Sequence, residues 1–222
     1  MELEQEFTPV VLFHIGPLQV TSTIVDTWII MAIISVAVIV LGKRLRVKPA
    51  RWQNALEWVV EAVDGVIRDM IPENPRLFLP IVGTLMVFIT AANLGGLIPG
   101  LKSPTSDINT PLAMAIVVFF SVHYYGIHEK GVIGHLKHYV EPIFILLPIE
   151  LASELARTLS LTFRLFGNIL GEEIVIAVLF LVLPYFVPVP MMLFSIFTSV
   201  IQAYVFGMLT VVYISGAVRA HA

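Results

Sequence analysis

"LSLTFRLFGNILGEE" (residues 159–173) sets Arg164 between Phe163 and Leu165 in a strongly apolar stretch. An arginine keeps its charge at any ordinary pH. Near the centre of a bilayer it costs on the order of 2.5–3.5 kcal/mol on insertion scales. A helical projection at 100° per residue explains how the segment tolerates it. Glu150, Ser153, Glu154, Arg157, Ser160, Arg164, Asn168, Gly171 and Glu172 fall within an arc of roughly 120°. Gly167 lies at its edge, while Leu155, Leu159, Phe163, Phe166 and Ile169 point elsewhere. Arg164 therefore belongs to one polar stripe on a greasy helix. Glu173 turns away from it, by roughly 150–180°. No acidic residue stands three or four positions from Arg164, so no partner on its own helix is within reach. A counter-charge from another subunit is expected, and the GNILG spacing of Gly167 and Gly171 suits close approach of a foreign helix.

The rest of the chain supports a membrane setting. Of its 222 residues, 58% are apolar and 13% charged, against roughly 45–50% and about 25% in soluble domains. Mean hydropathy is +0.91. The fold class expected is an all-α polytopic membrane protein. The net charge of -3 speaks against a nucleic-acid surface, and the lack of cysteine removes disulfides, thiolate metal sites and thiol catalysis. MELEQEF carries glutamates and no Lys or Arg, so no cleaved signal is expected.

Residues 24–41 form a first span, followed by the densest positive cluster, Lys43, Arg44, Arg46, Lys48 and Arg51. That cluster belongs in the cytoplasm and the glutamate-bearing residues 1–23 outside. Residues 52–71 alternate Glu57, Glu61, Asp64 and Arg68 with Leu56, Val59, Val60, Val63 and Ile67, the pattern of an amphipathic surface helix. Spans follow at 77–98 and 112–127, separated by the turn-rich loop 101–111, with HEKGVIGHLKHY (128–139) as a basic inside loop. Two long helices complete the chain, 149–183 and 190–218, interrupted by PYFVPVP. From Ile174 to Val218 nothing is charged, and Ser195, Thr198, Ser199 and Gln202 make a weaker polar stripe. The first of these helices, at about 34 residues or roughly 50 Å, exceeds a hydrocarbon layer of about 30 Å and must tilt, kink or protrude. The architecture expected is thus about five membrane-embedded helices and one surface helix in a single membrane domain, with the C-terminus cytoplasmic.

"TLSLTFRLFGNILGEE", with "SVIQAYVFGMLTVVYIS" (199–215), "ANLGGLIPG" (92–100) and "SDINTPLAMA" (106–115), resembles the bacterial a subunit of F-type ATP synthase over nearly the whole chain. The resemblance implies a static subunit of the cell membrane, packed through Arg164, Gly167, Asn168 and Gly171 against a rotating ring of c subunits and held by the b-subunit peripheral stalk. Its last two helices would form a steeply tilted hairpin among lipid. It implies two aqueous half-channels passing H⁺ or Na⁺ to and from ring carboxylates, with Arg164 between them. Asn168, Glu173 and Gln202 match ring-facing or outer-channel residues, Asp107 and Asn109 the outer mouth, and Glu150 and Ser153 the cytoplasmic side. Ser195 stands where some members have a histidine that partners the glutamate at position 173. The family subunit is not itself catalytic and implies no cofactor or metal.

Other readings are weaker. A stand-alone secondary transporter binding an anion at Arg164 would show two related halves, and no internal repeat is evident. A membrane hydrolase would need a nucleophile with its base, or HExxH; a nucleotide site would need GxxxxGK[ST]. None occurs. His128, His135 and His138 lack a repeated metal-ligand spacing.

Overall fold

The computed structural model describes residues 11–15, 18–45, 51–72, 74–98, 102–140, 147–182 and 188–219. Two short antiparallel strands, β1 (Val11–Ile15) and β2 (Leu18–Thr21), precede six helices among these residues. The helices are α1 (Ser22–Gly42), α2 (Arg51–Met70), α3 (Leu79–Gly95), α4 (Asn109–Val140), α5 (Leu147–Val182) and α6 (Pro188–Arg219). The hairpin is absent from the sequence reading, which left residues 1–23 as an external segment without secondary structure.

Among the described residues, four helices are long and apolar enough to cross a membrane: Ser22–Gly42, Asn109–Val132, Pro148–Val182 and Pro188–Val218. α3 is apolar throughout but has only 17 residues, about 26 Å, since a 3-10 turn at Pro75–Leu77 precedes it and a turn at Gly96–Leu97 follows. The stretch 128–139, read from sequence as a loop, is helical instead. α4 continues through it with one break at Gly131 (φ 73, ψ 164). That φ is natural only for glycine, and the helix kinks there. Loop-like composition misleads here because His, Glu and Lys are all acceptable helix residues.

The chain divides into two compact units. Unit 1 takes in the chain up to Leu45, Val87–Pro111 and Leu165–Gln202; unit 2 takes in Arg46–Met86, Leu112–Arg164 and Ala203 onward. Unit 2 has an apolar core of Val63, Ile67, Ile71, Phe78, Val82, Val211 and Ile214. The Phe78 and Tyr125 rings meet edge-on with centroids 4.8 Å apart, and the Tyr125 hydroxyl donates to the Leu77 carbonyl at 3.2 Å. Only Val63 and Ile67 of the expected apolar face of α2 are buried; Leu56, Val59 and Val60 stay exposed. Gly207 brings α6 close to α3: a Cβ there would lie 2.5 Å from Met86 Cγ. In unit 1, Gly95 approaches Ile30 of α1, and Gly96 lies so close to Ser103 that a Cβ would sit 2.7 Å from Ser103 Cβ. Small residues that let backbones approach are the usual means of helix association in lipid, where the hydrophobic effect between helices is lost.

Candidate functional site

Arg164 lies on α5, one turn before Asn168, and is half-buried. Among the described residues it makes no ion pair. Two of the three carboxylates of its own stripe are engaged elsewhere: Glu150 Oε1 lies 3.8 Å from Arg157 Nη2, and Glu154 Oε2 lies 3.5 Å from His123 Nε2; the third, Glu172, lies eight residues further along α5. The Glu150–Arg157 pair is about half exposed and contributes little stability. Ser153 is half-buried on the same helix.

Further along α5, Gly167, Asn168 and Gly171 are exposed. A Cβ built on either glycine meets nothing within 4 Å, so this chain does not use the room they leave. Asn168 Nδ2–H donates to Gln202 Oε1 of α6 at 2.8 Å. Gln202 is buried at 6% exposure and Ser195 at 4%. The Gln202 amide nitrogen and the Ser195 hydroxyl have no hydrogen-bond partner among the described residues. Leaving buried polar atoms unpaired costs about 1–3 kcal/mol each, a cost that packing alone does not require. Gly167, Asn168, Gly171, Glu172, Thr198 and Gln202 line an open cleft of about 500 Å³.

A second polar assembly forms around residues 102–109, also in unit 1. Asp107 accepts from Thr23 Oγ1 at 2.8 Å and from the Asn109 backbone N–H at 3.1 Å and side-chain amide at 2.8 Å. Asp two residues before Asn109 thus makes an Asx turn that opens α4. Thr105 donates to Asn93 Oδ1 at 2.6 Å, Ser103 to the Ala92 carbonyl at 3.1 Å, and the Ser103 and Thr105 hydroxyls lie 2.8 Å apart. The Glu173 carboxylate joins this assembly through the Ser106 hydroxyl and the Ser103 backbone, with Lys102 as the nearby cation. The loop residues Ser103, Ser106 and Lys102 are its neighbours.

The sequence-predicted residues therefore form three separate groupings. Asn168 and Gln202 are bonded to each other. Glu173, Asp107 and Asn109 share the 102–109 assembly. Glu150 sits with Arg157. Several polar participants were missed from sequence: Thr23, Asn93, Thr105, His123 and Tyr213. Thr23 and Asn93, single polar residues in apolar helices, and Thr105, in a turn-rich loop, carry no distinctive pattern. His123 carried one, as an ionisable residue inside an apolar run.

Comparison with known proteins gives a consistent result. Residues 24–215 match the family model described as ATP synthase A chain. Over 211 residues the chain is 44% identical to ATP synthase subunit a 2 of Bradyrhizobium sp. (strain BTAi1 / ATCC BAA-1182), covering 95% of each protein. It is 45% identical over 212 residues to ATP synthase subunit a 1 of Hahella chejuensis, covering 96% of this chain and 90% of the relative. It is 39% identical over 213 residues to ATP synthase subunit a of Moorella thermoacetica, covering 96% and 98%.

Proposed function

The chain belongs to the ATP synthase A chain family, and from that premise we propose that it is the ion-conducting stator subunit of a rotary ATP synthase. It is a multi-pass membrane protein; in this reading its N-terminus lies outside and its C-terminus in the cytoplasm. Two half-channels pass H⁺ or Na⁺ to and from the carboxylates of a c-subunit ring. The ring meets the α5 face of Arg164, Gly167, Asn168 and Gly171, and a b-subunit stalk holds the chain still. The chain conducts ions and leaves ATP chemistry to other subunits.

The observation that carries this reading is Arg164 itself, without an ion pair among the described residues and one turn from a glycine face that this chain does not fill. A carboxylate brought to about 4 Å at an effective dielectric near 20 gains roughly 4 kcal/mol from the guanidinium. That is about a thousandfold in its ionisation equilibrium, enough to make it release its ion. The same fixed charge repels cations that would cross directly between half-channels. Lysine would be a poorer choice, because desolvation can neutralise it. At about 2.3 kcal/mol per charge per 100 mV, such a leak would dissipate much of the free energy of each step.

Asn168 and Gln202 tie α5 to α6 beside this face. The assembly of Glu173, Ser106, Asp107 and Asn109 supports an outer half-channel with Glu173 as its ionisable group. Ser195 stands where some family members have a histidine, so the outer path runs without an imidazole there. Glu150 and Ser153 lie on the stripe toward the cytoplasmic end. The test is Arg164→Ala in the whole complex, in inverted vesicles. ATP-driven ion uptake should vanish while the chain remains assembled; uptake at the wild-type rate refutes the assignment.

A further inference from the structure

We propose that His123 and Glu154 form a proton-binding station, an additional element of the cytoplasmic side of the ion path; the role rests on the stator reading above. His123 projects from α4 and Glu154 from α5, both within unit 2, with Nε2 and Oε2 3.5 Å apart. Glu154 is 8% exposed. The other imidazole nitrogen, Nδ1, lies 2.9 Å from the Phe119 carbonyl oxygen. A carbonyl oxygen only accepts, so Nδ1 carries the hydrogen and Nε2 is the nitrogen turned to the carboxylate. A bare Nε2 facing an ionised carboxylate sets lone pair against lone pair. One proton on either atom turns that repulsion into attraction. A single proton therefore has two acceptors in the pair, Nε2 and the carboxylate.

Three features make this a station rather than a permanent bridge. The separation of 3.5 Å exceeds that of an ordinary N–H···O bond, so the proton is not locked between the two atoms. A cavity of about 20 Å³ adjoins the pair, lined also by Arg157, Thr158 and Tyr213, with room for about one water. Among the residues lining that cavity, the charged or titratable ones besides the pair are Arg157 and Tyr213 of α6; Arg157 lies 5.9 Å from the Tyr213 ring centroid and pairs with Glu150. Glu154 stands ten residues before Arg164 on α5, about 15 Å along the helix and toward the end that follows the basic segment 128–139. In the transfer, a hydronium ion gives its proton to the pair and leaves as water; the new N–H or O–H bond then breaks as cavity water takes the proton onward.

The test uses the whole complex in inverted vesicles, with ATP-driven uptake followed across bath pH, for wild type, His123→Gln, Glu154→Gln, the double variant and the exchange His123→Glu/Glu154→His. Each single variant should lower proton uptake about tenfold and flatten its dependence on bath pH, with subunit content and ATP hydrolysis by the detached catalytic sector unchanged. The double variant should be no worse than either single, as for groups acting as one unit, and the exchange should restore part of the rate. Wild-type uptake and pH profile in His123→Gln overturn the proposal, as does uptake carried by Na⁺ that neither substitution alters. Loss of the chain from the complex in both single variants assigns the pair a structural role and also overturns it. Arg164→Ala run alongside separates the two readings: if it abolishes uptake while His123→Gln does not, only the station fails.

Discussion

Replacing Gly96 by alanine tests the packing that holds the 102–109 assembly in place. The new Cβ would stand 2.7 Å from Ser103 Cβ, 3.2 Å from its backbone nitrogen and 3.3 Å from its Cα. Carbon atoms pack at about 3.5–4.0 Å, so Ser103 must retreat by roughly 1 Å. It cannot do so by turning a side chain, because two of the three atoms are backbone. Retreat would pull its hydroxyl from the Ala92 carbonyl and from Thr105, and its backbone from Glu173. Overpacking of this kind costs about 1–3 kcal/mol, with about 1 kcal/mol more for each hydrogen bond lost. Gly95→Ala is the internal control. Its Cβ would meet only the terminal Cδ1 of Ile30, at 3.1 Å, and alanine at the end of α3 gains helix propensity. The assay is thermal unfolding of the purified complex together with ATP-driven uptake. Gly96→Ala should lower the midpoint and the uptake rate, while Gly95→Ala should leave both near wild type. Equal behaviour of the two variants would refute the close approach and the dependence of Glu173 on Ser103.

Three further outcomes are expected. Gly207→Ala should cost less than Gly96→Ala in the same melt, because its Cβ meets the flexible Met86 side chain rather than backbone; the reverse order would count against this packing. A double-mutant cycle of Asn168→Leu and Gln202→Leu, read by unfolding in detergent, should give a coupling of about 0.6 kcal/mol and at most ~1.7, the range of interhelical bonds in membranes; zero coupling means the bond is not formed. Gly171→Val should leave the abundance of the chain unchanged, since nothing lies within 4 Å of the added Cβ, yet lower uptake more than tenfold by filling the face proposed to meet the ring; full uptake would remove that face from the proposed contact.

The membrane class and the long apolar helices were legible because composition and run length are local properties. A run of about twenty apolar residues needs no knowledge of its neighbours to be read. The polar stripe through Arg164 was legible for the same reason, since 100° per residue converts spacing directly into a face. The continuation of α4 through residues 128–140 was not. Its charged residues suit a loop and a helix alike, and the break falls on a single glycine at φ 73. The hairpin at 11–21 was also missed, because short strands carry little pattern against a neighbouring hydrophobic run.

Helical spacing could place Arg164, Asn168 and Glu172 on one side of α5, but it could not say what each side chain meets. Those meetings join residues far apart in sequence: Asn168 with Gln202, Thr23 with Asp107, Glu173 with Ser106, His123 with Glu154. Periodicity fixes direction around one helix axis and is silent about which other helix lies in that direction. Tertiary structure decided that Glu154 faces a histidine of another helix, whereas Glu150 and Arg157 share one face of α5 and meet within it. It also showed that Arg164, among the described residues, makes no ion pair. The side-chain type and its face follow from the chain one helix at a time; the partner follows only once the helices are packed.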